Sequence, residues 1–116
     1  MLFNYLLFLL PTIAGLILAI AGIVLLKYPP KKINWIYGYR TSSSMKNGKR
    51  WDFAQIYSAK EMIKLGGLSM LSGLIGLVIN PNVIIALGIS MGLLIFLVII
   101  LIIKTETAIK NKFPEE

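Results

Sequence analysis

What most constrains this chain is where its charges are missing. Residues 1–26 carry no charged side chain, and neither do residues 65–103. Between those blanks, from Lys27 to Lys64, nine Lys and Arg stand against Asp52 and Glu61. A soluble domain scatters charge over all its surface elements, because each must meet water. A chain that confines it between two long apolar runs is patterned for a bilayer. With 57% hydrophobic residues and a mean hydropathy of +0.79, these 116 residues read as one small integral membrane unit.

The net charge of +7 resides wholly in that middle stretch, because the tail sets Lys104, Lys110 and Lys112 against Glu106, Glu115 and Glu116. Basic excess in a short loop between apolar runs follows the positive-inside rule and marks a cytoplasmic loop, not a nucleic-acid surface. The chain has no cysteine and no histidine. Thiol chemistry, thiolate metal sites and the usual neutral-pH proton shuttle are therefore excluded. With so few acidic groups outside the tail, the expectation is a protein that is not an enzyme and uses no metal or cofactor.

The pattern predicts an all-α integral membrane protein with three transmembrane helices, over about 2–26, 62–79 and 83–103. A basic, aromatic loop (27–61) joins the first two, and a cytoplasmic tail (104–116) ends the chain. The first run is long enough to cover a hydrocarbon core of roughly 30 Å. Pro11 is expected to kink the first helix or shift its start, and Pro29-Pro30 to stop it. Ala19-Ile20-Ala21 looks like a signal-cleavage site, but no Lys or Arg precedes the apolar run. The segment is read as a retained helix. Asn80-Pro81-Asn82 is a turn signal between the second and third spans. Three spans with this loop place the amino terminus outside and the carboxyl terminus inside.

No span has a charged residue in its middle, which argues against a transporter or pump. Small residues recur at helical spacing: Gly15 with Ala19, Ser69 with Gly73, Ser72 with Gly76, and Gly88 with Gly92. They are expected to pack the three helices within one chain. The sharper reading is a homo-oligomer joined through one such face, Gly88/Gly92 foremost.

The loop is dense in aromatics: Tyr28, Trp35, Tyr37, Tyr39, Trp51, Phe53 and Tyr57. An interfacial belt accounts for many of them. Two details go further. Ile36-Tyr37-Gly38-Tyr39-Arg40-Thr41 sets a glycine between aromatics, as where backbone turns sharply, and follows it with the planar donor fork of Arg40. Asn47 is a plausible cap for a helix with Phe53, Ile56 and Tyr57 on one face. This predicts an interfacial amphipathic helix between spans 1 and 2, running into the second span or bending at Gly66-Gly67.

Pro30, Asn34, Tyr37-Gly38-Tyr39-Arg40-Thr41, Ser44, Asn47, Trp51, Ala54 and Lys60 together resemble the signature of the SdpI-type membrane proteins. The resemblance covers roughly residues 25–80. It implies that Asn34, Gly38, Arg40, Thr41, Trp51 and Lys60 take the signature positions, while Gln55 stands where members frequently have histidine. It also implies a bacterial cytoplasmic (inner) membrane, immunity to a membrane-acting peptide toxin, and signalling by sequestering a cytoplasmic regulator. On that reading the binding residues are Asn34, Tyr37, Gly38, Arg40, Thr41, Trp51, Gln55 and Lys60. Arg40, with Asn34 and Thr41, would hold a polar or anionic group, and Trp51 and Tyr37 would pack on its apolar part. The alternative is a non-catalytic accessory subunit of a larger membrane complex. A lipid-acting enzyme would have to rely on Asp52, Glu61, tyrosines or Lys60.

Overall fold

The computed structural model describes residues 5–79 and 81–114. The first residues of the expected first span, Asn80 of the turn and the last two of the tail lie outside the described residues. Three α-helices follow in order: α1 (Leu6–Lys27), α2 (Gly48–Gly73) and α3 (Val83–Lys112). A 3-10 turn, Leu74–Leu77, prolongs α2. Among the described residues there is no strand.

Each boundary has a local cause. α1 runs through Pro11 and ends at Lys27, where the Tyr28 amide closes the last turn on the Val24 carbonyl, just before Pro29-Pro30. α2 starts where expected, with the Asn47 side chain accepting from the Arg50 amide at 2.9 Å. α3 is capped the same way, by Asn82 accepting from the Ile85 amide at 2.9 Å.

Two features concern helix continuity. The amphipathic segment runs into the apolar segment after it, one of the two arrangements expected, and together they form one continuous helix, α2. No breaker interrupts Gly48–Gly73; Gly66 packs closely on α1, while nothing lies within 4 Å of a Cβ at Gly67. The tail also is helical as far as Lys112, because apolar positions continue past the end of the charge-free run: Ile109 is fully buried.

α1 and α2 meet most closely. A Cβ on Gly66 would lie 2.5 Å from the Gly15 carbonyl oxygen and 2.7 Å from the Ala19 amide, and one on Gly15 would run into the Gly66 carbonyl oxygen. Ser69 fastens the same crossing by donating to the Pro11 carbonyl at 2.7 Å. Small residues thus pack α1 on α2 as expected. Gly88 and Gly92 do not share that role, since nothing lies within 4 Å of a Cβ at either position. α3 instead touches its neighbours through Ala86, Ser90, Leu97, Thr105 and Ile109, and through Lys104, whose ammonium stands 3.2 Å from the buried Glu61 carboxylate.

α1 and α3 are long and apolar enough to cross a membrane. Their apolar windows are only 22% and 17% buried, so most of that apolar surface is uncovered within the chain. Apolar surface of that extent fits a bilayer. α2 fails the same test because Lys49, Arg50, Asp52, Lys60, Glu61 and Lys64 occupy its first two-thirds.

Candidate functional site

The loop between α1 and α2 is not loosely draped. α2 holds it through Gln55, which is fully buried. Its Oε1 accepts from the Tyr39 amide at 2.6 Å, and its Nε2 donates to the Tyr39 carbonyl at 2.8 Å. One side-chain amide thereby pairs with a backbone residue as a neighbouring strand would. The pairing requires a glycine beside it. Gly38 has φ +107°, and a Cβ there would meet Gln55 Oε1 at 2.5 Å and Pro30 Cγ at 2.8 Å. One turn earlier on α2, the fully buried Trp51 donates from Nε1 to the Pro30 carbonyl at 2.8 Å. The two side chains pin both limbs of the loop to one face of α2.

α3 holds the loop from the other side. Glu106 Oε2 accepts from the Tyr39 hydroxyl at 2.9 Å and from Thr41 Oγ1 at 3.0 Å. Thr41 and the buried Ser44 exchange amide-to-hydroxyl bonds of 2.9 and 3.1 Å, and Ser44 Oγ stands 3.1 Å from the Tyr39 carbonyl. Burial, followed by the hydrogen bond and charge of Glu106, pushes the Tyr39 phenol well above its ordinary pKa of about 10, while Thr41 acts weakly the other way. Tyr39 therefore stays a hydrogen-bond donor across the physiological range.

The remaining loop residues also have internal tasks. Asn34 Oδ1 accepts from the amides of Ile36 and Tyr37 at 2.9 and 2.7 Å, and its Nδ2 donates to the Lys32 carbonyl at 2.9 Å. This is an Asx-type turn. The Tyr37 hydroxyl donates to the Tyr28 carbonyl at 2.8 Å, covering the end of α1. Arg50 is buried, with Nε donating to the Ser43 carbonyl at 2.8 Å and its guanidinium 5.9 Å above the Phe113 ring.

Arg40 is different. It is exposed, and its side chain makes no hydrogen bond or ion pair among the described residues. It stands at the mouth of a cleft of about 460 Å³ between the three helices, lined by Leu25 of α1, Met62 of α2 and Val98, Leu101 and Ile102 of α3. Tyr37 to Thr41 form its rim. A second depression on the other flank of Arg40 is lined by Ile33, Trp35, Thr41, Ser42 and Met45. Lys60 is exposed and lines neither. Of the eight residues expected to bind, Asn34, Thr41, Trp51 and Gln55 are engaged in building the loop, Gly38 permits it, and Arg40 alone projects an unengaged charge at the cleft.

Sequence reasoning missed Glu106 and Arg50. Glu106 lies 65 residues beyond Thr41 in a tail whose charges cancel, and nothing in the pattern links the two. Asp52 is exposed, and Glu61 is paired with Lys104 and, at 3.6 Å, Lys64. Among the described residues no three His, Cys, Asp or Glu side chains gather as metal ligands would.

Most of the braced loop, with its Gly-x-Arg-Thr rim, falls within residues 31–105, the stretch that matches the sequence model of the SdpI/YfhL protein family. The chain belongs to that family. A member from Bacillus subtilis (strain 168), named uncharacterized protein YfhL, is 40% identical over 98 residues, which is 84% of each chain. No solved structure matches. Within the matched stretch, Asn34, Gly38, Thr41, Trp51 and Gln55 hold the loop's shape, and that shape presents Arg40 at the cleft.

Proposed function

We propose that this family member is a non-catalytic, membrane-embedded binding protein that recognises an amphiphilic peptide and confers immunity to a membrane-acting toxin. The apolar half of α2 crosses the bilayer with α1 and α3, the amino terminus lies outside, and the loop and carboxyl terminus face the cytoplasm. Trp35, 81% exposed, and Ile36 and Tyr28 beside it lie at headgroup level. Arg40 takes the polar or anionic group of the peptide, and the cleft takes its apolar part. The observation that carries this reading is a single unengaged guanidinium on a braced rim above an apolar cleft. A cleft of this volume lies in the range of small-molecule and side-chain pockets.

The test is protection. Cells making the wild type or Arg40→Ala, matched for membrane level, are challenged with a membrane-active peptide toxin from a related bacterium. Wild-type protection that the variant loses by about tenfold or more matches a charge-assisted contact of roughly 1.5–3 kcal/mol. Equal protection by both removes Arg40 from the mechanism. A second reading, an accessory subunit or homo-oligomer, is favoured by the open Gly88/Gly92 face of α3. Reproducible co-purification of one large membrane partner, lost in Gly92→Leu, would support it.

A further inference from the structure

The cleft has a geometry that a peptide alone does not explain. Its walls include Ala21, Val98 and Ile102, all exposed on the outer surface of α1 and α3, so it opens sideways onto the apolar flank of the molecule. From Val98 to Ile102 it follows α3 for about 6 Å, at 1.5 Å per residue. Its floor is aliphatic, and its one charged lining residue is Arg40. Arg40 also lines the second depression, of about 610 Å³, together with Ile33, Trp35, Thr41, Ser42 and Met45. An occupant matching the cleft has an anionic group at the guanidinium and an aliphatic chain along the apolar floor.

We infer that the cleft is a binding site for an anionic phospholipid of the cytoplasmic leaflet. This rests on reading the cleft as a binding site and names what fills it when no peptide is bound. Phosphate matches the planar donor fork of Arg40. The acyl chain enters laterally, without leaving the hydrocarbon. The local field acts in the same direction, since the loop between α1 and α2 carries Lys31, Lys32, Arg40 and Lys46 and no acidic residue, and anionic lipid concentrates at basic surfaces. The bracing by Gln55 and Glu106 fixes the backbone on both sides of Arg40, so binding orders little beyond one side chain.

The chain supplies its own probe. It has two tryptophans, Trp35 beside Arg40 and Trp51 fully buried. The full-length protein is reconstituted in mixed phosphatidylcholine and phosphatidylglycerol vesicles, with one or the other lipid brominated to the same fraction. Quenching of Trp35 then reports which lipid stands next to it. The expected preference for phosphatidylglycerol is about fivefold, the contribution of one basic residue near an anionic surface. Arg40→Ala brings it to near unity, and so does Ala21→Leu, which narrows the tail slot and leaves the charge untouched. Lys49→Ala, an exposed lysine outside both depressions, keeps it. Inorganic phosphate in large excess leaves the wild-type ratio unchanged. The proposal is overturned by a wild-type ratio near unity, by an unchanged ratio in Arg40→Ala or Ala21→Leu, by equal losses in Arg40→Ala and Lys49→Ala, or by displacement with inorganic phosphate. No toxin enters this experiment, so its failure and a failure of protection are separate results.

Discussion

At the scale of single residues, the signature positions do two kinds of work that look alike in a sequence. Gln55 and Arg40 are both polar and both lie in the signature, yet one is fully buried against backbone and the other is exposed. Replacing Gln55 by Leu leaves the Tyr39 amide without its partner, while the Tyr39 carbonyl keeps Ser44. The expected cost is about 1–3 kcal/mol, the penalty of a buried unpaired donor, read as a lowered thermal midpoint in detergent. Arg40→Ala removes no internal contact and should leave that midpoint unchanged. The sequence supported a sharp backbone turn at Gly38 and a donor fork at Arg40, because these follow from residue chemistry. It could not separate scaffold from ligand group, because a side-chain amide and a guanidinium are equally able to face inward. Nor could it assign Trp51 to the Pro30 carbonyl instead of to a partner, since burial depends on where α2 lies. Glutamine has no proton to gain or lose between pH 5 and 8, so the loop pairing does not titrate in that range.

At the scale of elements, the three helices are not equivalent. α1 and α2 cross with backbone nearly in contact at Gly15 and Gly66, whereas α3 approaches through side chains and is tied by the Glu61–Lys104 pair and by Glu106. The apolar runs and the Asn47 cap were legible because helix periodicity and capping are local. The continuity of α2 was legible too, since no breaker separates Lys49 from the second apolar run. Hydropathy changes near Met62, where the charges thin out, but the hydrogen-bond ladder does not, and only a breaker would have stopped it. Gly66→Leu should therefore separate α1 from α2 and cost several kcal/mol, as expected when a bulky group is forced into a close-packed contact. Gly92→Leu meets open space and should be tolerated or mildly stabilising, by up to about 1 kcal/mol from helix propensity. The same thermal midpoints distinguish the two; similar losses in both would mean that α3 packs through its glycines after all.

At the scale of the molecule, the charge map seen first in the sequence becomes a division of labour. The charge-free runs supply α1, most of α3 and the end of α2, and the charged stretch supplies a loop whose shape is fixed from two helices. Glu106 closes that frame from the far end of the chain, which no local pattern could reveal. The claim on which the functional account stands is that this frame leaves position 40 open on the cytoplasmic side while Ser44, four residues on, is sealed. The absence of cysteine makes the claim directly measurable. Single-cysteine variants Arg40→Cys and Ser44→Cys are treated with a membrane-impermeant maleimide in intact cells and in inverted vesicles. Arg40→Cys should react in inverted vesicles only, and Ser44→Cys in neither until the protein is denatured. Labelling of Arg40→Cys from outside the cell, or equal rates at the two positions in inverted vesicles, would contradict the account.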